Sequence, residues 1–197
     1  LHGESKYIDC MERTLYNGVI SGMSMDGGRF FYPNPLSSDG KYKFNADGNT
    51  TRQPWFGCAC CPSNLCRFIP SVPGYLYGVK DNNIYVNLFA GNTSTIKVNG
   101  KDVVLEETTE YPWNGDIKIA VKKSGVKNAN LLVRIPGWVR NQVVPSDLYK
   151  YSDAEKPAYS VTVNGKAVEA DLDANKGYLP VKNIKKGDVI RIHFDMP

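Results

Sequence analysis

The sequence predicts a mainly β protein: an antiparallel β-sandwich preceded by a short helix, a hairpin and a cysteine-rich loop segment. Three observations carry this. From Tyr75 onward, short runs rich in Val, Ile, Tyr and Thr recur with turn formers between them. Asn-Gly dipeptides at 99–100 and 164–165 are hairpin signals, because both central residues of that turn need positive φ. Before Tyr75, only one stretch has the spacing of a helix.

In chain order, Ile8, Met11, Leu15 and Tyr16 recur at helical spacing, which predicts a helix over Ser5–Asn17 stopped by Asn17-Gly18. Val19–Phe31 reads as a hairpin around Asp26-Gly27-Gly28. Ser37–Thr51, dense in Ser, Asp, Gly and Asn, reads as a loop leading to the cysteines. Asn64–Ser71 has room for one or two helical turns before Pro70 and Pro73. The strand candidates are Tyr75–Lys80, Ile84–Phe89, Thr95–Val98, Asp102–Thr108, Asp116–Lys122, Asn130–Ile135, Tyr159–Val163, Lys166–Glu169, Tyr178–Val181 and Asp188–Phe194. Val-Asn-Gly-Lys-x-Val at 98–103 and again at 163–168 is explained by two hairpins sharing a turn type. The change of pattern places a domain boundary between 1–74 and 75–197.

An apolar fraction of 42% in 197 residues is ordinary for a globular chain with a core of its own. The net charge of +4 comes from scattered Lys and Arg with no basic run, so no nucleic-acid partner is indicated. No apolar run approaches the ~20 residues of a membrane span, and Leu1–Cys10 lacks the apolar centre of a signal peptide. No membrane partner is expected. Trp113 and Trp138, at a turn and a strand end, are expected to cover core or interdomain surface rather than to stack on a sugar.

The chemistry concentrates in Trp55-Phe56-Gly57-Cys58-Ala59-Cys60-Cys61-Pro62-Ser63-Asn64, which holds three of the five cysteines. A buried structural cysteine has no reason to cluster, whereas a thiolate is both a nucleophile and a soft metal ligand. Adjacent Cys60 and Cys61 are poor disulfide partners, and the odd cysteine count argues against a disulfide framework. A structural zinc site from Cys58, Cys60, Cys61 and Cys66 has plausible spacings but lacks a second separated ligand pair. Cys58-x-x-Cys61 has redox spacing without the surrounding βαβ pattern. Burial of all five thiols stays open beside these.

Trp-Phe-Gly-Cys-Ala-Cys-Cys-Pro-x-Asn at 55–64 resembles the cysteine signature of glycoside hydrolase family 127, the β-L-arabinofuranosidase family. Met11–Gly18 and Phe30–Leu36 are similar to that family's helix and following hairpin, and Tyr85–Phe89 and Leu132–Trp138 resemble its β-domain strands. The resemblance implies a retaining glycosidase acting on a carbohydrate substrate, in a parent enzyme built of an α/α barrel and β-sandwich domains. It implies Cys60 as nucleophile and zinc ligand, Cys61 as second ligand and Cys58 as a supporting residue; Tyr32, which flanks that site, is a substrate-binding candidate through its hydroxyl, with a buried structural tyrosine as the alternative. Zn2+ is therefore the expected cofactor, with partial or no occupancy in this chain alone. The family's remaining ligands resemble a Glu-x-Cys pair upstream of the Met-Glu-Arg helix, and its acid/base glutamate lies further upstream; this chain contains neither. Cys10 and Glu12 are poor substitutes, and the only histidines, His2 and His193, are expected at the surface or on a strand. These departures make the chain an expected internal fragment, with the upstream barrel of the same parent as its partner and no activity alone. The alternative reading is a noncatalytic carbohydrate-binding sandwich with a structural cysteine cluster.

Overall fold

Alternation of apolar and polar side chains sends one face of the longer strands into a shared interior. The computed structural model describes residues 3–144, 146–152 and 158–196. Ten strands follow Tyr75: β1 (Tyr77–Lys80), β2 (Asn83–Val86), β3 (Asn92–Val98), β4 (Lys101–Thr109), β5 (Asp116–Ser124), β6 (Asn130–Arg134), β7 (Tyr159–Val163), β8 (Lys166–Ala167), β9 (Tyr178–Val181) and β10 (Val189–Phe194). Each falls on a segment marked by the sequence pattern. They form a four-stranded sheet, β1-β2-β6-β9, and a six-stranded sheet, β3-β4-β5-β10-β7-β8.

Ile84, Val86, Leu131, Val133, Leu179 and Val181 of the small sheet share one core with the inward residues of the large sheet, among them Val103, Leu105, Ile119, Ile190 and Phe194. Burying one such side chain contributes about 1.5–3 kcal/mol, so this interface is the main source of the sandwich's stability. Asn99 and Gly100 (φ 48° and 77°) and Asn164 and Gly165 (φ 52° and 80°) both take the left-handed conformation that a two-residue hairpin demands. The matching hexapeptides are thus two copies of one turn solution.

Pairing is antiparallel throughout the named strands except between β2 and β6, which run parallel. A parallel pair needs a long connection, and here β3, β4 and β5 of the other sheet supply it. Periodicity reports which residues face inward but not which strand lies alongside.

Two buried polar groups interrupt the apolar interior. Glu107 on β4 is 2% exposed; it accepts the Tyr77 hydroxyl at 2.9 Å and the Ala90 N–H at 3.1 Å. Burial pushes its carboxyl up to about 7, against an ordinary 4.5, although these hydrogen bonds pull the other way. Arg134 on β6 is wholly buried, giving Nε–H to the Asn87 carbonyl and Nη1–H to Asp9 Oδ1 at 2.6 Å. Asp9 also accepts the Gly137 N–H at 3.2 Å. It lies on helix α1 (Ser5–Arg13), whose residues up to Cys10 pack with 75–197 as one compact unit; 11–74 form another.

In the 11–74 unit the predicted stop at Asn17-Gly18 does not occur. The chain continues as a π-helix over Thr14–Val19 and a 3-10 turn over Ile20–Gly22. The Asn17 side chain donates to the Arg13 carbonyl at 3.0 Å, inside the helix rather than ending it, and Gly18 keeps a negative φ. The expected hairpin is correspondingly short: Met23 bridges Phe30 around a turn closed by Asp26, which accepts the Gly28 N–H at 3.0 Å. Helix α2 (Cys60–Phe68) begins inside the cysteine block, and a 3-10 segment over Ile69–Tyr75 replaces α-helical pairing where Pro70 and Pro73 lie.

The two tryptophans diverge. Trp138 packs edge-on against Phe194 with centroids 5.9 Å apart, as expected. Trp113 instead stands 87% exposed, because its turn is closed by polar contacts, including the Trp113 N–H to the Glu110 carbonyl at 2.8 Å, that hold it off the core.

Two stability measurements follow. Asp9→Ala leaves the Arg134 charge buried without its carboxylate and is expected to cost about 3 kcal/mol in urea unfolding; a cost near zero would mean the pair is dispensable. Glu107 has a folded value above its unfolded one, so the native state holds a proton the unfolded chain has released, and stability declines as pH rises from about 4.5 toward 7. Glu107→Gln should flatten that decline when urea midpoints are compared across the interval.

Candidate active site

Where a helix starts, its free N–H groups and dipole favour negative charge. Cys60 is the first residue of α2, preceded by Ala59, which offers no capping side chain. Ser63 Oγ and Asn64 Nδ2 both donate to the Cys60 carbonyl, at 3.1 and 2.8 Å, and fix this first turn. Arg67 in turn donates to Asn64 Oδ1 at 2.5 Å.

Opposite Cys60 stands Tyr32, with its hydroxyl 2.5 Å from Sγ. Tyr32 is held at both ends. Its N–H donates to Asn45 Oδ1 at 2.8 Å, and its ring meets Phe56 edge-on with centroids 5.4 Å apart. Asn45 is 3% exposed and also donates Nδ2–H to the Thr51 carbonyl at 2.8 Å, so its amide links both sides of the polar loop. Phe30 hydrogen-bonds Gln53 in both directions and meets Trp55 edge-on at 5.9 Å. These contacts bring the 30–32 segment and the cysteine block together across a loop that periodicity leaves shapeless.

The hydrogen bond orders the acidities. Tyr32 holds the Cys60 thiol below its usual range, and Tyr32 itself is pushed up to about 12 by the same contact. The contact therefore favours a thiolate accepting from a neutral phenol over a thiol beside a phenolate. Cys61 moves the other way, raised first by burial and then by its hydrogen bond to Cys60. Two adjacent thiols thus have opposite tendencies, which suits one to nucleophilic attack when free of metal.

Cys61, Tyr32, Asn34, Asn64, Arg67 and Phe68 border a cavity of about 560 Å³. Asn34 is anchored by its amide to the Gly18 carbonyl at 2.8 Å. Asn64 closes the cysteine signature and Asn34 lies in the Phe30–Leu36 segment, but neither they nor Arg67 carried a role that the sequence alone assigned. Cys10, Cys58, Cys60, Cys61 and Cys66 are all exposed, and none is in a disulfide.

Among the described residues, no three His, Cys, Asp or Glu side chains are grouped to hold a metal. The donor chemistry at Cys60 and Cys61 suits zinc, a borderline-soft ion that takes thiolates, but a tetrahedral shell needs about four donors. Two is what this block brings together. His193 lies on β10 between two carboxylates, Nδ1 at 2.7 Å from Asp116 and Nε2 at 3.0 Å from Asp195, and chiefly the Asp116 contact raises its pKa. It is a strand residue, as expected, and His2 lies outside the described residues.

A hydrogen-bonded thiol at a helix start, with its neighbour Cys61 bordering a cavity and the chain continuing into a two-sheet sandwich, defines a class of thiol-bearing, sandwich-linked site. The family model for the β-L-arabinofuranosidase GH127 catalytic domain matches residues 1–74, and that for the GH127 middle domain matches residues 83–196. The chain belongs to the GH127 family. It is 30% identical over 204 residues to a non-reducing end β-L-arabinofuranosidase of Bifidobacterium longum subsp. longum, covering 100% of this chain and 28% of that protein. The solved GH127 β-arabinofuranosidase BT3674 superposes with a TM-score of 0.90 at 56% identity, over 100% of this chain and 30% of its own. Ara127N-Se, a GH127 β-L-arabinofuranosidase from Geobacillus stearothermophilus T6, gives 0.77 at 35% identity, over 100% and 29%. The chain thus spans less than a third of the length of these relatives.

The Tyr32 contact can be read chemically. In the metal-free chain, Tyr32→Phe should move the pH midpoint of Cys60 alkylation by iodoacetamide upward, slowing labelling near neutrality, because the donor that favours the thiolate is gone. Peptide mass spectrometry at a series of pH values reads this; an unchanged midpoint would show that Tyr32 does not tune Cys60.

Proposed function

We propose that this chain is the cysteine-bearing part of a retaining glycoside hydrolase acting on β-L-arabinofuranosides or a related sugar, with Cys60 as nucleophile. The observation that carries this reading is the Tyr32–Cys60 contact at the start of α2, in a family whose named relatives are β-L-arabinofuranosidases. The reading places the active protein at its relatives' length, because the match covers 28–30% of them and the site has two soft donors of about four.

Cys60 and Cys61 would hold zinc in that protein. Zinc, when bound, keeps a coordinated thiol deprotonated at neutral pH. The chain's own residues supply the rest. Cys60 Sγ attacks the anomeric carbon; the C–S bond forms as the glycosidic C–O bond breaks, and the departing oxygen takes its proton from an acid outside this chain. Water then attacks the same carbon from the opposite face, the C–S bond breaks, and the water's proton returns to that acid's conjugate base. Two inversions give retention. Tyr32 keeps its proton throughout, so its hydroxyl steadies the sulfur's charge before attack and again as sulfur departs.

The 1–74 segment would contribute to a catalytic domain, and 75–197 would form a sandwich domain of the same protein. Substitutions in the protein at its relatives' length test the reading. Cys60→Ser should abolish turnover of an aryl β-L-arabinofuranoside with the circular dichroism spectrum unchanged. Cys61→Ser should lower zinc content and rate together, and Cys66→Ser should do little. Zinc retained with activity untouched in Cys60→Ser would make the cysteine block structural.

A further inference from the structure

The sandwich unit has a second cavity, of about 650 Å³, unrelated to the cysteines. Its floor is the outer face of the small sheet. Ile84 and Val86 of β2 point into the core, so Tyr85 and Asn87 point away from it, and the register Gly78↔Tyr85 puts Gly78 and Lys80 of β1 on the same outer side. Tyr178 of β9 joins them, since its neighbour Leu179 faces the core. Across from this floor lie Glu4, Tyr7 and Ile8 of the first helical turns. The ion pair of Asp9 with Arg134 on β6 seats α1 over the sheet. Over β1 the sheet presents only hydrogen at Gly78, and that leaves the space.

The lining is aromatic and hydrogen-bonding together. Tyr85 and Tyr178 meet edge-on with centroids 5.1 Å apart, and the Tyr178 hydroxyl donates to Asn87 Oδ1 at 2.9 Å, which fixes both rings and the amide. Tyr7 is 51% exposed at the rim. Flat rings complement the C–H faces of a sugar, while phenol, amide, ammonium and carboxylate groups complement its hydroxyls. Lys80 and Glu4 carry opposite charges, and Glu4 is already ion-paired with Lys6 at 2.7 Å, so no carboxylate in the lining is left to select a cationic ligand.

We propose that this cavity is a noncatalytic binding site for a neutral oligosaccharide, formed between the start of α1 and the outer face of β1 and β2. It is separate from the cysteine block and does not depend on the catalytic reading of Cys60. Its use to a carbohydrate-active protein is to hold part of a polymeric or branched glycan near the chain.

Titration of the chain with short arabino- and xylo-oligosaccharides, followed by 15N–1H NMR, tests the proposal. Binding of at least one probe with millimolar affinity should move the Gly78, Lys80 and Asn87 amides. Tyr7→Ala, at an exposed position, should weaken binding about tenfold. Gly78→Val should abolish it by standing a branched side chain on the floor: its Cβ would lie 3.4 Å from Asn87 Nδ2 and 3.7 Å from Tyr85 Cβ, and circular dichroism checks that the variant is folded. Cys60→Ser should leave binding unchanged. The proposal is overturned if neither probe binds, if binding survives Gly78→Val in a folded protein, or if Cys60→Ser removes it.

Discussion

A guanidinium with no exposed surface sets the terms for the sandwich unit. A lone buried charge is untenable, so Arg134 requires the Asp9 carboxylate, and Asp9 comes from a helix 125 residues earlier in the chain. Around that ion pair the Asn87 carbonyl, the Gly137 N–H and Arg140 are gathered, the last giving Nη2–H to Ser5 at 3.0 Å. Gly177 completes the fit: with φ 83° and a Cβ position that would fall 1.9 Å from Ser5 Oγ, it admits no side chain. The start of α1 is thereby held to the outer face of the small sheet, and the cavity above β1 exists because that helix stops short of filling it. A buried ion pair adds little net stability against an apolar replacement, but it permits only one placement of the helix.

The candidate active site is built on a different principle. Its chemistry sits on the first turn of a nine-residue helix, and its geometry comes from a loop with little regular structure. One amide, Asn45, organises that loop by accepting from Tyr32 and donating to Thr51. Tyr32 is thus positioned by backbone and ring contacts, leaving its hydroxyl for sulfur. A tyrosine held this way favours the charged form of the thiol without giving up its own proton, since its pKa is raised by the same contact. In adjacent Cys61, burial and the hydrogen bond to Cys60 raise the pKa and outweigh Tyr32, which lowers it.

Membership of GH127 gives these groups a context while the chain remains a minor part of its relatives' length. In the reading advanced here, the thiols and their phenol are contributed by this chain, and the acid and remaining metal donors by other parts of the protein. Such division is physically reasonable: a metal shell gathered from distant segments closes only when all of them are folded.

The ten strands were legible from sequence because burial on one face of a sheet forces a period of two, and Asn-Gly announces a hairpin through its φ requirement. The cysteine block was legible as chemistry because clustered thiols have little packing rationale. Other features depended on partners far along the chain. The parallel β2–β6 pair, the exposure of Trp113, the passage of the helix through Asn17-Gly18, and the start of α2 at Cys60 have no local marker. Asn34, Asn45, Asn64 and Arg67 are common polar residues whose roles come only from what lies opposite them. The sequence by itself determined which residues turn inward and which carry reactive sulfur, because these are properties of short windows and of side-chain chemistry. Only the tertiary structure decided which thiol meets Tyr32, where a buried Arg134 finds its counter-charge, and where the sheet is left uncovered, because each is a distance between residues that the chain order keeps apart.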